Sequence, residues 1–187
     1  MITAIETKYA GCRFRSRLEA RWAVFFDTMN IPWLYEPQGY TLSNGRNYLP
    51  DFLLPECGTW IEVKGSSAAV DWELLDIAAF DLPRVDSRKG CEHGPELMLL
   101  GQIPLPRLFG DYGWPSWHKF DDKNVMQLDD GFGLYCKNKR PWSYGYGDDW
   151  PASDESIFAI YHADEPDYAQ VGYEAARSAR FEHGECG

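Results

Sequence analysis

Pro50-Asp51-Phe52-Leu53-Leu54 and Thr59-Trp60-Ile61-Glu62-Val63-Lys64-Gly65, joined through Pro55-Glu56-Cys57-Gly58, form the most informative pattern in this chain. A proline-to-glycine turn signal between two short apolar runs predicts an antiparallel hairpin. Side chains alternate along a strand, so Trp60, Glu62 and Lys64 are expected on one face, with Ile61 and Val63 on the other. The short connection brings Asp51 across to Glu62. Two carboxylates and an ammonium then converge. Carboxylates held together repel unless a cation lies between them, and an oxygen-rich set suits a hard ion, Mg2+ or Mn2+. Such an ion can polarise a phosphoryl oxygen and acidify water, while Lys64 orients that water or offsets charge on the phosphate. That is phosphodiester hydrolysis. On these three residues alone, an exposed strand with alternating Glu and Lys is the bland alternative.

Pro50-Asp51 followed by Glu62-Val63-Lys64 resembles the signature of the PD-(D/E)XK nuclease superfamily. The resemblance implies Asp51 and Glu62 as metal ligands, the Val63 backbone carbonyl as a further one, and Lys64 as the catalytic lysine. It also implies DNA as substrate and an α/β fold with a restriction-endonuclease-like αβββαβ core around a mixed sheet. Many members place a glutamate from the preceding helix in the metal site. Glu19, in Arg17-Leu18-Glu19-Ala20-Arg21, fits that position. Read locally, Ser16 followed three residues later by Glu19 is a capping box, in which Glu19 accepts the N-cap amide hydrogen; the resemblance adds the metal-site role. Small stand-alone members are often phage-encoded, and branched-DNA members commonly act as dimers, so a homodimer stays open.

Element order agrees without the motif. Leu18, Trp22, Phe25 and Met29 recur at helical spacing over 14–30, and Asn30-Ile31-Pro32 ends that helix. Trp33-Leu34-Tyr35 starts a strand, and Ser43-Asn44-Gly45 is a hairpin signal before residues 47–54. Glu36 is expected as an exposed strand-end acid, with the metal site or a nearby arginine as its alternatives. Val70, Leu74, Ile77 and Ala78 mark a second helix over 68–80, and residues 96–100 read as a strand buried on both faces. Helix, three strands, helix, strand span about residues 12–103, the order that the resemblance implies for a nuclease core, here expected over 1–103. Residues 104–153 are aromatic, glycine-rich and acidic, and are expected to be an irregular insertion. Residues 154–187 are expected to add a strand over 157–161 and a helix over 168–182.

The 187 residues carry a net charge of -11, which argues against a general nucleic-acid binder. Its distribution refines this. Residues 1–64 hold seven basic and seven acidic side chains, whereas residues 65–187 hold eleven and twenty-two. In the neutral part, Arg13, Arg15, Arg17 and Arg21 cluster where a phosphate backbone is expected to lie. The acidic half is compatible with a protein partner, which leaves a catalytically inactive module binding DNA or protein as the other reading. No run of about 18 apolar residues and no secretory leader pattern occur, so a cytoplasmic protein without membrane contact is expected. Cys12, Cys57, Cys91, Cys136 and Cys186 contain no CxxC pair and are expected as free thiols. His93, His118, His162 and His183 have no partner at ligand spacing and are expected outside the chemistry.

Overall fold

The computed structural model describes residues 6–56, 58–85, 97–103 and 168–181, together with strands at 117–120, 125–128, 134–136 and 143–144. A hairpin that no sequence signal marked precedes the first helix. β1 (Thr7–Tyr9) pairs antiparallel with β2 (Cys12–Phe14) around Ala10 and Gly11, at φ 47° and 78°. A tight turn of this kind needs positive φ at both central residues, and alanine at the first hides the signal. Because β2 takes Phe14, α1 (Arg17–Thr28) starts three residues later than expected. Its N-cap is Ser16, whose side chain accepts from the Glu19 N–H at 3.2 Å.

The expected strand over 33–42 and its partner over 47–54 each break in two. β3 (Leu34–Tyr35) stops at Glu36, which sits at φ 42° before Pro37, and β4 (Tyr40–Thr41) pairs instead with β5 (Asn47–Tyr48). Pro50, which has no N–H to give a ladder, separates β5 from β6 (Phe52–Leu54). The predicted central hairpin forms in the expected register, with β6 antiparallel to β7 (Thr59–Val63) and Phe52 opposite Ile61. α2 (Trp72–Asp81), capped by Asp71, then leads to β8 (Leu97–Leu100), which runs parallel to β7 and is buried at all four residues. The fold is α/β with a mixed sheet.

Residues 104–153 are less irregular than expected. β9 (Trp117–Phe120) pairs with β10 (Val125–Leu128), while β11 (Leu134–Cys136) and β12 (Ser143–Tyr144) extend the main sheet beyond β8. The full order is β12-β11-β8-β7-β6-β3, so residue 103 marks no break in the sheet. An edge at β8 would leave a row of unpaired backbone groups, which β11 satisfies. The expected strand over 157–161 lies outside the described residues. The expected last helix is α3 (Tyr168–Ser178). Among the described residues no helix is long and apolar enough to cross a membrane.

Alternation in the central strands builds two cores. Phe52, Leu54, Ile61, Val63, Met98 and Leu100 face α1 and α3, while Leu53, Trp60, Leu97 and Leu99 face α2. The Trp22 indole, buried on α1, donates to the Gly101 carbonyl at 2.8 Å and ties the helix to the end of β8. α3 approaches α1 closely at Gly172, where a Cβ would lie 2.7 Å from the buried Phe25 ring. Helix propensity alone favours Gly172→Ala by about 1 kcal/mol. Overpacking costs about 1–3 kcal/mol, and Phe25 is stacked on Tyr173 at 4.8 Å with no room to retreat. The expected outcome of chemical denaturation is therefore a net loss of about 1 kcal/mol; a gain would mean the helix pair is looser than described.

Candidate active site

The end of the sheet where β6 begins and β7 finishes also receives the N-termini of α1 and α2. A cavity of about 430 Å³ opens there, lined by Glu19, Asp51, Glu62 and Lys64 together with Arg15 and Tyr48. All four residues singled out as catalytic thus share one space. Ser16 and Asp71, the N-caps of the two helices, line it as well. The partial positive ends of both helices therefore flank the acids, an arrangement that favours an incoming anion.

Asp51 is 2% exposed and immediately precedes β6. One of its oxygens accepts the Val63 N–H at 2.7 Å, and the other takes the Arg15 guanidinium at 2.8 Å. Glu62 is 6% exposed, with one oxygen on the Lys64 ammonium and the other accepting from the Tyr48 hydroxyl at 2.7 Å. Their pairing follows from period two: Glu62 and Lys64 lie on the Trp60 side of β7, as expected, while Val63 sends its side chain into the α1 core. Burial pushes the Asp51 carboxyl up to about 7, reinforced by the Glu62 charge and opposed by the Val63 N–H and Lys64. Each buried carboxylate is paired with one cationic side chain, Asp51 with Arg15 and Glu62 with Lys64.

Glu19 takes the Ser16 hydroxyl and the Arg15 N–H at the start of α1, in place of the N-cap amide hydrogen expected, and also walls the cavity. Its carboxylate accepts from Ser16 Oγ at 2.7 Å, from the Arg15 N–H at 3.1 Å and from the Tyr35 hydroxyl at 2.6 Å. The sequence reading gave no role to Tyr35 or Tyr48. Burial first, and then the carboxylate each one faces, raise both phenols, so they remain protonated donors to Glu19 and Glu62. Their signal was a polar tip on an apolar body in the two strands bordering the acids.

The four arginines have different surroundings. Arg13 pairs with Glu6, Arg17 and Arg21 are half-buried on α1, and Arg15 is the one of the four that lines the cavity. Arg15 reaches Glu36 through Nε at 2.6 Å as well as Asp51 through Nη2. Glu36 is accordingly not the exposed strand-end acid expected. Proximity in sequence grouped these arginines; Arg13 and Arg15 pair with different acids, and only Arg15 of the four lines the cavity.

The donor atoms are of the type that a hard divalent cation takes. The set is all oxygen and largely buried, and burial, with the Glu62 charge beside it, holds the Asp51 carboxyl above its ordinary value. As the side chains stand, with ammonium and guanidinium drawn onto Glu62 and Asp51, no group of three or more His, Cys, Asp or Glu among the described residues is within reach of a single ion. His93, His118, His162 and His183 lie where side chains are not described, and Cys12 is a free thiol. Comparison with protein-family models, curated proteins and solved structures gives no match for this chain.

Proposed function

We propose that the chain is a Mg2+- or Mn2+-dependent DNA nuclease of the PD-(D/E)XK type, with a restriction-endonuclease-like core running from α1 to β8. The observation that carries this reading is the convergence of Asp51, Glu62 and Lys64 with Glu19 around one cavity between two helix N-termini. Asp51, Glu62 and Glu19, with the Val63 carbonyl, would hold the cation, which supplies Lewis acidity toward a phosphodiester. Tyr48 and Tyr35 donate hydrogen bonds to Glu62 and Glu19 at 2.7 and 2.6 Å and so orient the two carboxylates. Lys64, 30% exposed at its side chain, offers an N–H donor to a phosphate oxygen as negative charge develops. The helix ends of α1 and α2 lower the cost of bringing that phosphate beside carboxylates.

The test is incubation of purified protein with single-stranded, duplex and branched DNA in Mg2+, in Mn2+ and in chelator. Cleavage is expected with either metal, none in chelator, and loss of at least a hundredfold in Glu62→Gln. Wild-type protein that leaves all three substrates intact in both metals overturns the reading.

One observation favours a second reading, an inactive module that binds DNA or a protein. The Arg15–Asp51 and Lys64–Glu62 pairs already provide the acids with countercharge, as in a scaffold that has replaced its cation with side chains. Calorimetry separates the two: a module of this kind takes up neither Mg2+ nor Mn2+.

A further inference from the structure

The Asp51 oxygen expected to face a cation is already bonded to one. Arg15 Nη2 sits 2.8 Å from Oδ1 of Asp51, and the same guanidinium is held 2.6 Å from Glu36 through Nε. The arrangement is lopsided. Asp51 is almost wholly buried, whereas the Arg15 side chain is 56% exposed, so the guanidinium enters the site from solvent, passing the half-buried Glu36. Its own backbone N–H donates to Glu19 and to the Tyr35 hydroxyl, which fixes the Cα at the rim. Glu36 bonds its N–H to the Asp51 carbonyl at 2.9 Å and adopts φ 42°, an uncommon conformation for a residue with a side chain. That backbone geometry sets the Glu36 carboxylate beside Arg15.

From this geometry we propose that Arg15 is an internal stand-in for the divalent cation. It occupies Asp51 when the ion is absent, and on displacement it swings about its Glu36 anchor to become a contact for a nucleic-acid phosphate. The proposal rests on the nuclease reading and deepens it. Both Asp51 oxygens already hold a partner, Arg15 Nη2 on Oδ1 and the Val63 N–H on Oδ2, so an arriving cation competes with the guanidinium for Oδ1. Once freed, the guanidinium remains at the mouth of the cavity with its planar fork unfilled, a geometry matched to phosphate. Arg15 thus acts twice. It prevents two buried carboxylates from standing uncompensated, and it is delivered to the substrate only after the ion has arrived.

The test is Mn2+ titration by calorimetry without DNA, on wild type, Arg15→Gln, Arg15→Lys and the charge control Arg13→Gln. With its competitor for Asp51 and one positive charge removed, Arg15→Gln is expected to bind Mn2+ about tenfold tighter. Arg13→Gln removes the same charge two residues away from an exposed site and is expected to change affinity by less than about threefold. Arg15→Lys, with one charge and no fork, is expected to fall between wild type and Arg15→Gln. In a second arm with Ca2+ and an uncleaved oligonucleotide, Arg15→Gln is expected to lose about tenfold in DNA affinity. Equal Mn2+ affinity in wild type and Arg15→Gln overturns the stand-in role and leaves the nuclease reading intact, whereas no Mn2+ uptake by any of the proteins overturns both. Should Arg15→Gln fail to fold, Arg15→Lys against Arg13→Gln makes the same decision.

Discussion

Asp51→Asn is expected to stabilise the cation-free protein at pH 8 while eliminating its response to Mn2+. The folded Asp51 carboxyl titrates near 7 because it is buried beside Glu62, against about 3.9 in the unfolded chain. Between these values the folded protein holds a proton that the unfolded chain has lost. Stability contributed by the neutral form is therefore complete below about pH 4 and drains away as pH rises toward 7. Above pH 7 the fold carries two buried negative charges facing each other. A shift of about three units corresponds to on the order of 4 kcal/mol, an upper figure because the repulsion is shared with Glu62.

Asparagine keeps the acceptor for the Val63 N–H, which is bonded at 2.7 Å, and gives up the Arg15 pair, whose guanidinium is more than half exposed. A largely solvated partner recovers most of its hydration when released. Relief of the buried charge is the larger effect, and a gain of roughly 1–3 kcal/mol is expected at pH 8. For a chain of this length that is a rise in Tm of several degrees. At pH 4 the two proteins should be equal, or Asp51→Asn slightly weaker. Saturating Mn2+ should raise the Tm of wild type and leave Asp51→Asn unmoved, since binding to the folded state alone is what stabilises. If Asp51→Asn is destabilised at pH 8 and more so than at pH 4, the two carboxylates are not in conflict and the case for a cation between them fails.

How much of this was legible depends on the range of the determining interaction. The β6–β7 hairpin, the Ser16 cap, and β8 buried on both faces follow from alternation, capping chemistry and an apolar run, which act within a few residues. Asp51 and Glu62 could be set opposite each other because the turn between their strands fixes register. The breaks at Glu36 and Pro50 were harder to read, since a strand that passes through a proline can bend into another sheet, as β5 does to meet β4. Arg15 was the clearest case of non-local control. Nothing within ten residues of it says that its guanidinium turns inward; the reason lies at Asp51 and Glu36, two buried or half-buried acids that the fold places beside it. Tyr48 and Tyr35 found their carboxylates by the same tertiary placement.

Lys64→Ala is expected to reduce DNA cleavage by about 10²–10³-fold while leaving Mn2+ affinity equal or tighter. Lys64 leaves β7 at the cavity with its ammonium on Glu62, and its backbone N–H is fixed to the Leu100 carbonyl at 2.9 Å, so alanine is tolerated by the chain path. Removing the amine takes one positive charge from a cluster of carboxylates, and a divalent ion then meets less repulsion and one fewer competitor for Glu62. Chemistry loses a donor that matters as the phosphate gains charge. The two effects have opposite signs, unlike Glu62→Gln, which should weaken both. This split distinguishes a catalytic amine from a structural counterion. Were Lys64 only the partner that keeps Glu62 compensated, Lys64→Ala would lower Tm in chelator, recover it in Mn2+ and cleave within about threefold of wild type. That result would remove Lys64 from the reaction and leave the carboxylates to account for any hydrolysis by themselves.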